Sequence, residues 1–182
     1  MSFKRFQSSD CSTSTPVKAS VQRYLKSSLV ESNPLLAPHI DSLIPKKPPL
    51  TAYKVTSFLT LYTLNSLPIL FETRDGPVLP TLRFVHQYPS LFTSCRVDSG
   101  AIPFILGGAN IMCPGLVNPG SELNEDYEIG QSVVVYAEGK EHALAVGHLK
   151  MGAKEIKEVN KGMGCEVAHF IGDGLFETKS IE

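Results

Sequence analysis

The residues of this chain that could do chemistry are its cysteines, its histidines and its glycine-rich loops. Cys11, Cys95, Cys113 and Cys165 lie far apart, and no two form a Cys-x-x-Cys pair. A zinc site would have to collect single ligands from distant segments, without any local ligand spacing. The pattern fits reduced, mostly buried thiols of a cytoplasmic protein. None of His142, His148 and His169 is paired locally in a way that suggests metal binding or acid–base chemistry. His148 lies in an apolar run and reads as a packed, hydrogen-bonded side chain. Gly107-Gly108-Ala109-Asn110 lacks the spacing and the following Lys-Ser/Thr of a phosphate-cradling loop, and no nucleophile elbow occurs. The expectation is a protein that is not an enzyme, with no catalytic residue, no metal and no cofactor.

Charge points instead to binding. The net charge of −1 hides a division. Residues 1–96 hold 11 Lys/Arg against 5 Asp/Glu, a net +6, and residues 97–182 hold 6 against 13, a net −7. A basic half joined to an acidic half suggests one face for phosphates and another for a different contact, although chance surface composition would also produce it. Lys46 and Lys47 stand between prolines and must be exposed. With Lys4, Arg5, Lys18, Arg23, Lys26 and Lys54 they could form a phosphate-anchoring face, or simply a solvated linker. No apolar run approaches the roughly 18 residues of a membrane span, and the polar, basic start lacks the apolar core of a secretory signal.

These residues need elements to hold them, and 182 residues are enough for two domains of about 90 each. Thr15-Pro16 reads as a helix start, followed by Val17, Val21, Tyr24, Leu25 and Leu29 on one stripe, with Lys18, Arg23 and Lys26 facing water. A short helix over 38–44 turns Ile40, Leu43 and Ile44 inward. Extended segments follow over 52–58, 59–64 and 67–72, with a turn at Asn65-Ser66. Arg74-Asp75-Gly76-Pro77 is a turn, and 81–88 a short helix. In the second half, Asp98 caps a helix running to Leu106, in which Pro103 is awkward. Ile111-Met112 starts a strand cut by Pro114-Gly115. Residues 132–137 and 143–151 form a hairpin about Glu138-Gly139-Lys140. A helix over 153–160 turns Ile156 and Val159 inward, with Gly162 beyond its end. Residues 167–171 and 175–178 form a last hairpin about Asp173-Gly174. Short strands with Gly-rich turns imply a small barrel or sandwich.

Several stretches carry a resemblance. Val97-Asp98-Ser99-Gly100-Ala101 and the run from Gly107 to Leu116 resemble the opening of a PUA (pseudouridine-synthase-and-archaeosine-transglycosylase) domain. Residues 137–147 resemble its central hairpin, and 160–164 with 169–176 its end. Gly76-Pro77-Val78-Leu79-Pro80-Thr81-Leu82-Arg83-Phe84-Val85-His86-Gln87-Tyr88-Pro89 and Pro45-Lys46-Lys47 resemble the malignant-T-cell-amplified-sequence, or translation machinery-associated, family. The resemblance runs from about Phe3 to Thr178. It departs at Phe176, where the family has Trp, at Gly152, where a helix-capping Ser is usual, and at Pro103, which replaces a Lys.

The resemblance implies an α+β N-terminal domain over 1–93 and a small β-barrel-like PUA domain over 94–182. It also implies an RNA-binding translation factor that acts on the small ribosomal subunit as a heterodimer with density-regulated protein. The roles it implies are reinitiation, non-standard initiation and ribosome recycling with release of tRNA; members resemble the N-terminal part of the initiation factor ligatin. The rival reading is an accessory RNA-binding module of a tRNA- or rRNA-modification enzyme. The expected RNA contacts are Lys46, Lys47 and Lys54 in the first domain and Gly108, Asn110, Gly115, Lys140 and Lys161 in the second. Gly107, Gly108 and Gly115 are also explained by turns needing positive φ. Partner docking is expected at Phe104, in a groove between the domains beside Leu91 and Phe92; interdomain packing is the alternative for Phe104.

Overall fold

In the first half, apolar and β-branched residues alternate at strand spacing and are punctuated by turns that only a few residue types accept. In the computed structural model, which describes residues 3–181, this half forms β1 (Thr13–Pro16), α1 (Ala19–Ser32), α2 (Ile40–Leu43), β2 (Thr51–Thr56), β3 (Leu59–Leu64), β4 (Leu67–Thr73), β5 (Val78–Pro80) and α3 (Leu82–Gln87). The strands make an antiparallel meander in the order β1-β2-β3-β4-β5. Asn65 and Ser66 adopt φ of 50° and 66°, the backbone of a two-residue hairpin turn between β3 and β4, as their types suggest. Thr81 caps α3 by accepting a hydrogen bond from the Phe84 N–H.

Several expectations fail here for local reasons. Thr15-Pro16 does not start a helix. Both residues lie in the exposed edge strand β1, where a proline costs no ladder bond, and α1 begins at Ala19 with Lys18 at its cap position. The buried stripe of α1 is Gln22, Leu25, Lys26 and Leu29, whereas Val21 and Tyr24 are exposed. Lys26, expected in water, is thus rotated into the protein. Val17 is buried outside the helix.

The second half contains β6 (Ser94–Val97), α4 (Ile102–Leu106), β7 (Ile111–Met112), α5 (Cys113–Val117), β8 (Ser132–Ala137), β9 (Ala145–Leu149), α6 (Ala153–Val159), β10 (Met163–Phe170) and α7 (Gly174–Glu177). The sheet order is β6-β8-β9-β10-β7, with β6 parallel to β8 and the other pairs antiparallel. An N-terminal α+β domain is therefore followed by a small curled, half-barrel-like β domain, as the resemblance implies. Asp98 caps a 3-10 turn at Ser99–Ala101, so Pro103 falls in the first turn of α4, where its missing N–H costs nothing. In α4 Ile105 is buried but Leu106 is exposed. In α6 Ala153 and Ile156 turn inward and Val159 does not. The last hairpin is absent: Asp173-Gly174 opens the helix α7, because the Asp173 carboxylate accepts from the Phe176 N–H and caps it.

Asp173 organises the second domain's side of the junction. Its fully buried carboxylate accepts from the Phe170 N–H at 3.0 Å and from the Phe176 N–H at 2.9 Å. His169 Nδ1 lies 2.8 Å from Oδ2 and must donate, since a carboxylate can only accept there. The His169 ring meets the edges of Phe3 and Phe71 at centroid distances of 5.8 and 6.0 Å. Phe3 thus bridges a β4 residue and the end of β10. The Gly174 N–H donates to the Phe3 carbonyl, and a Cβ at Gly174 would overlap the Phe6 backbone. One apolar core runs through both halves, from Leu25, Leu29, Leu61 and Phe71 to Val134, Val146 and Leu175.

Further polar ties fix the boundary. Asn33, beyond the C-terminus of α1, accepts from the Thr93 N–H and donates to the Leu29 carbonyl, while the Thr93 hydroxyl donates to the Ser32 carbonyl. The Ser32 carbonyl at the end of the helix thereby finds its partner in the connecting segment. Arg83 donates from Nε and Nη2 to the Phe176 carbonyl and stacks on the Phe176 ring at 5.0 Å.

Replacing Asp173 with Ala leaves two buried N–H groups and an imidazole without an acceptor. The expected loss of stability is at least about 3 kcal/mol by urea unfolding. A loss below about 1 kcal/mol, the range of ordinary surface changes, would contradict the assignment of Asp173 as the buried acceptor that fixes His169 and caps α7.

Candidate nucleic-acid interface

The segment between α4 and α5 lines an apolar groove of about 540 Å³ in the second domain. Phe104, Ala109, Met112 and Gly115 form much of its wall. Asp98 shapes one end: Oδ1 accepts from the Ala101 N–H at 2.9 Å, Oδ2 from Asn118 Nδ2 at 2.8 Å, and its N–H donates to the Gly115 carbonyl. Phe104 is 67% exposed and Met112 52% exposed, so two large apolar side chains flank an open cleft.

The glycines of this segment have different causes. Gly108 sits at φ +85°, and a Cβ there would crowd the Phe170 ring at 3.1 Å, so turn geometry and packing both require glycine. Gly115 has neither constraint, since a Cβ would meet Ala101 and Ile111 at an ordinary 3.5 Å. Asn110 lines the groove but commits its Oδ1 to the Val167 N–H. Lys4 Nζ donates to the Gly107 carbonyl from the N-terminal segment. Lys161 is exposed beside the groove strand, its carbonyl facing the Cys113 thiol at 3.3 Å; Lys140 is exposed at the β8–β9 turn. Neither lysine lines the groove.

In the first domain Lys46, Lys47 and Lys54 are all exposed. Lys46 and Lys47 project from the loop between α2 and β2, and Lys54 stands on β2 opposite Thr13 of the edge strand. The expected cluster of Phe104, Leu91 and Phe92 does not form. Phe92 is 5% exposed and packs edge-on to Phe84 at 5.7 Å, Leu91 leans on the same core, and Phe104 lies in a groove lined by the second domain alone. Helix α4 turns Ile105 into its own core, which sends Phe104 outward.

The groups that could do chemistry are placed as structure. Burial pushes the Cys95 thiol up to about 12 and the Cys165 thiol well above its ordinary value. Burial lowers the pKa of His148, whose Nε2 lies 3.6 Å from Glu166. The pKa of His86 is lowered by burial as well, and its Nε2–H donates across the domains to the Ala143 carbonyl at 2.9 Å. Among the described residues no group of three His, Cys, Asp or Glu is placed to hold a metal, and no helix is long and apolar enough to cross a membrane.

Sequence reasoning missed the apolar groove wall at Met112 and the buried pair Gln22 and Lys26. A helical stripe shifted by one residue, 22-25-26-29, was available in the pattern. It was masked because two of its four members are polar.

Residues 6–89 match the family described as "Pre-PUA-like domain", and residues 92–174 the family described as "elF2D, PUA domain". The chain is 54% identical to translation machinery-associated protein 20 of Schizosaccharomyces pombe, over 97% of this chain and 98% of that protein. It is 43% identical to the malignant T-cell-amplified sequence 1 homolog of Drosophila melanogaster, over 99% of this chain and 100% of that protein. Its fold is similar to that of a hypothetical protein of Pyrococcus horikoshii, with a TM-score of 0.75, 23% identity and coverage of 91% and 98% of the two chains. A PUA-domain protein of Aeropyrum pernix gives a TM-score of 0.67 at 22% identity, covering 91% and 89%.

The placement of the aromatics has a direct consequence for stability. Phe104→Asp should leave the unfolding free energy within about 0.5 kcal/mol, because the ring makes little core contact. Phe92→Ala should cost about 3–5 kcal/mol. Urea denaturation of the two variants checks both values, and a large loss at Phe104 would place that ring in a core.

Proposed function

The chain belongs to the malignant-T-cell-amplified-sequence (translation machinery-associated) family, and from that premise we propose that it is a non-enzymatic, RNA-binding translation factor that works on the small ribosomal subunit. It is a translation machinery-associated protein with a PUA domain. The finer reading is that the basic first domain anchors on rRNA phosphates through Lys46, Lys47 and Lys54. The groove segment from Gly108 through Asn110 to Gly115 then adds a shape-dependent contact with RNA, either rRNA or tRNA, flanked by Lys140 and Lys161. Recognition of folded RNA depends on shape, backbone and 2′-hydroxyls, which suits an open cleft with exposed backbone.

The observation that carries this reading is the outward projection of all three first-domain lysines from a half of net charge +6. The second half, at −7, repels phosphate at long range, so its contribution must be local and must depend on delivery by the first. The family resemblance further supports a heterodimer with density-regulated protein and roles in reinitiation and in recycling with tRNA release. Phe104, exposed at the groove rim, is the proposed partner anchor, without Leu91 and Phe92.

Co-sedimentation with salt-washed small subunits tests the reading. Binding should be tight and fall with salt. Neutralising Lys46, Lys47 and Lys54 together should weaken it and flatten the log–log salt slope by up to about 3. An unchanged slope would reduce these lysines to a solvated linker, and no binding by the intact protein would remove the small subunit as the target.

A further inference from the structure

Lys26 is the residue whose placement is least expected from its type. Its side chain is 11% exposed on the buried face of α1, yet its ammonium is held by a carboxylate that is itself 86% exposed, Asp41 Oδ1 at 2.8 Å. The apolar stem of Lys26 can lie on the buried face beside Leu25 and Leu29 because its charged head is paired at the surface. The head emerges into a pocket of about 450 Å³ whose wall also carries Arg23 and Lys46, with apolar surface from Val17, Ala19 and Pro49 beneath. Three cations face one carboxylate, leaving the pocket at +2.

The pocket is also built. Gln22, one turn before Lys26 and buried, clamps both ends of the basic loop: its Nε2 donates to the Pro45 carbonyl at 2.7 Å, and its Oε1 accepts from the Leu50 N–H. The Val17 N–H donates to the Leu50 carbonyl beside it. Lys46 is therefore presented from a loop whose two ends are pinned to α1, next to the buried Lys26. Lys26 and, more weakly, Lys46 hold the Asp41 carboxyl below the usual carboxylate range, so Asp41 senses both cations.

We propose that Arg23, Lys26 and Lys46 form a specific pocket for one phosphodiester of RNA, and that Asp41 is its resident competitor, occupying Lys26 until a phosphate displaces it. This rests on the RNA-binding reading given above and names the atoms that would carry part of it. A phosphate group matches the pocket because it offers several acceptor oxygens to cations on different elements, which a single carboxylate on α2 cannot reach together. Gln22 acts as a positioning residue, touching the loop and not the ligand. Asp41 lowers affinity for any weak anion while leaving the lysine neutralised in the free protein.

The test is equilibrium binding of the full chain to purified, salt-washed small subunits over a range of potassium chloride concentrations. Four proteins are compared with the wild type: Asp41→Asn, Asp75→Asn, Lys26→Met, and Lys26→Met with Asp41→Asn. Asp75 is an exposed carboxylate on the β4–β5 turn, so its substitution makes the same net charge change outside the pocket. Asp41→Asn should tighten binding at least about threefold more than Asp75→Asn, a gain larger than a single unit of screened surface charge provides. Lys26→Met should lower the salt slope by about 0.7–0.9, one phosphate contact. In the Lys26→Met background, Asp41→Asn should give no gain beyond the Asp75→Asn control. Asp41 is exposed, so its variant does not depend on tolerance of the core. Equal effects of Asp41→Asn and Asp75→Asn, with an unchanged slope for Lys26→Met, would overturn the pocket while leaving the RNA reading intact. Absence of salt-sensitive binding by the wild type would overturn that reading and the pocket with it. Lys26-dependent capture of a poly-glutamate peptide, with no Lys26 dependence toward the subunits, would assign the pocket to an acidic protein segment and also overturn the proposal.

Discussion

The buried contact of Asp173 with His169, and of His169 and Gly174 with Phe3, is the interaction on which the arrangement of the whole molecule depends. One carboxylate ends β10, starts α7 and fixes the imidazole against which Phe3 and Phe71 pack. The Phe3 carbonyl then accepts from Gly174, so the N-terminal segment is stitched to the second domain while its ring lies on the first. Domains joined by small polar interfaces move relative to one another by default. Here the apolar core is continuous across the boundary, and the linker residue Thr93 is bonded to the end of α1.

On the proposed RNA-binding reading, rigidity of this kind has a functional meaning. A basic loop on one domain and an apolar groove on the other would then meet a single folded RNA with their separation already fixed. Ordering two loosely tethered domains at the moment of contact would add an entropic cost that a preformed junction avoids. On the same reading the charge division gives each surface a different part: the first domain would supply long-range attraction, and the second a local contact that its own net charge discourages. The Lys4 contact with Gly107 runs from the N-terminal segment to the groove loop, so the element that joins the domains also steadies the groove.

Much of the fold was legible. The meander β2-β3-β4 follows from alternating Thr, Tyr and Leu and from an Asn-Ser turn, and the β8–β9 hairpin from its valines and the Glu138-Gly139-Lys140 turn. What was not legible depended on which backbone groups and side chains the tertiary structure buries. β6 is a four-residue strand that exists because it pairs in parallel with β8, forty positions away at Ser94 and Val134. Asp173-Gly174 has the composition of a hairpin turn, and only the buried backbone of Phe170 and Phe176 makes Asp173 a cap. The candidate site divides the same way. Exposure of Lys46 and Lys47 follows from their prolines, but the burial of Lys26 needs Asp41 on α2, and the outward turn of Phe104 needs Ile105 to fill its own core.

Residual dipolar couplings of the backbone amides in a weakly aligning medium test the central claim, that the two domains form one body with both surfaces held in fixed relation. A single alignment tensor should fit the couplings of residues 13–87 and 94–177 together. Two tensors of different magnitude for the two domains would show independent motion and contradict it.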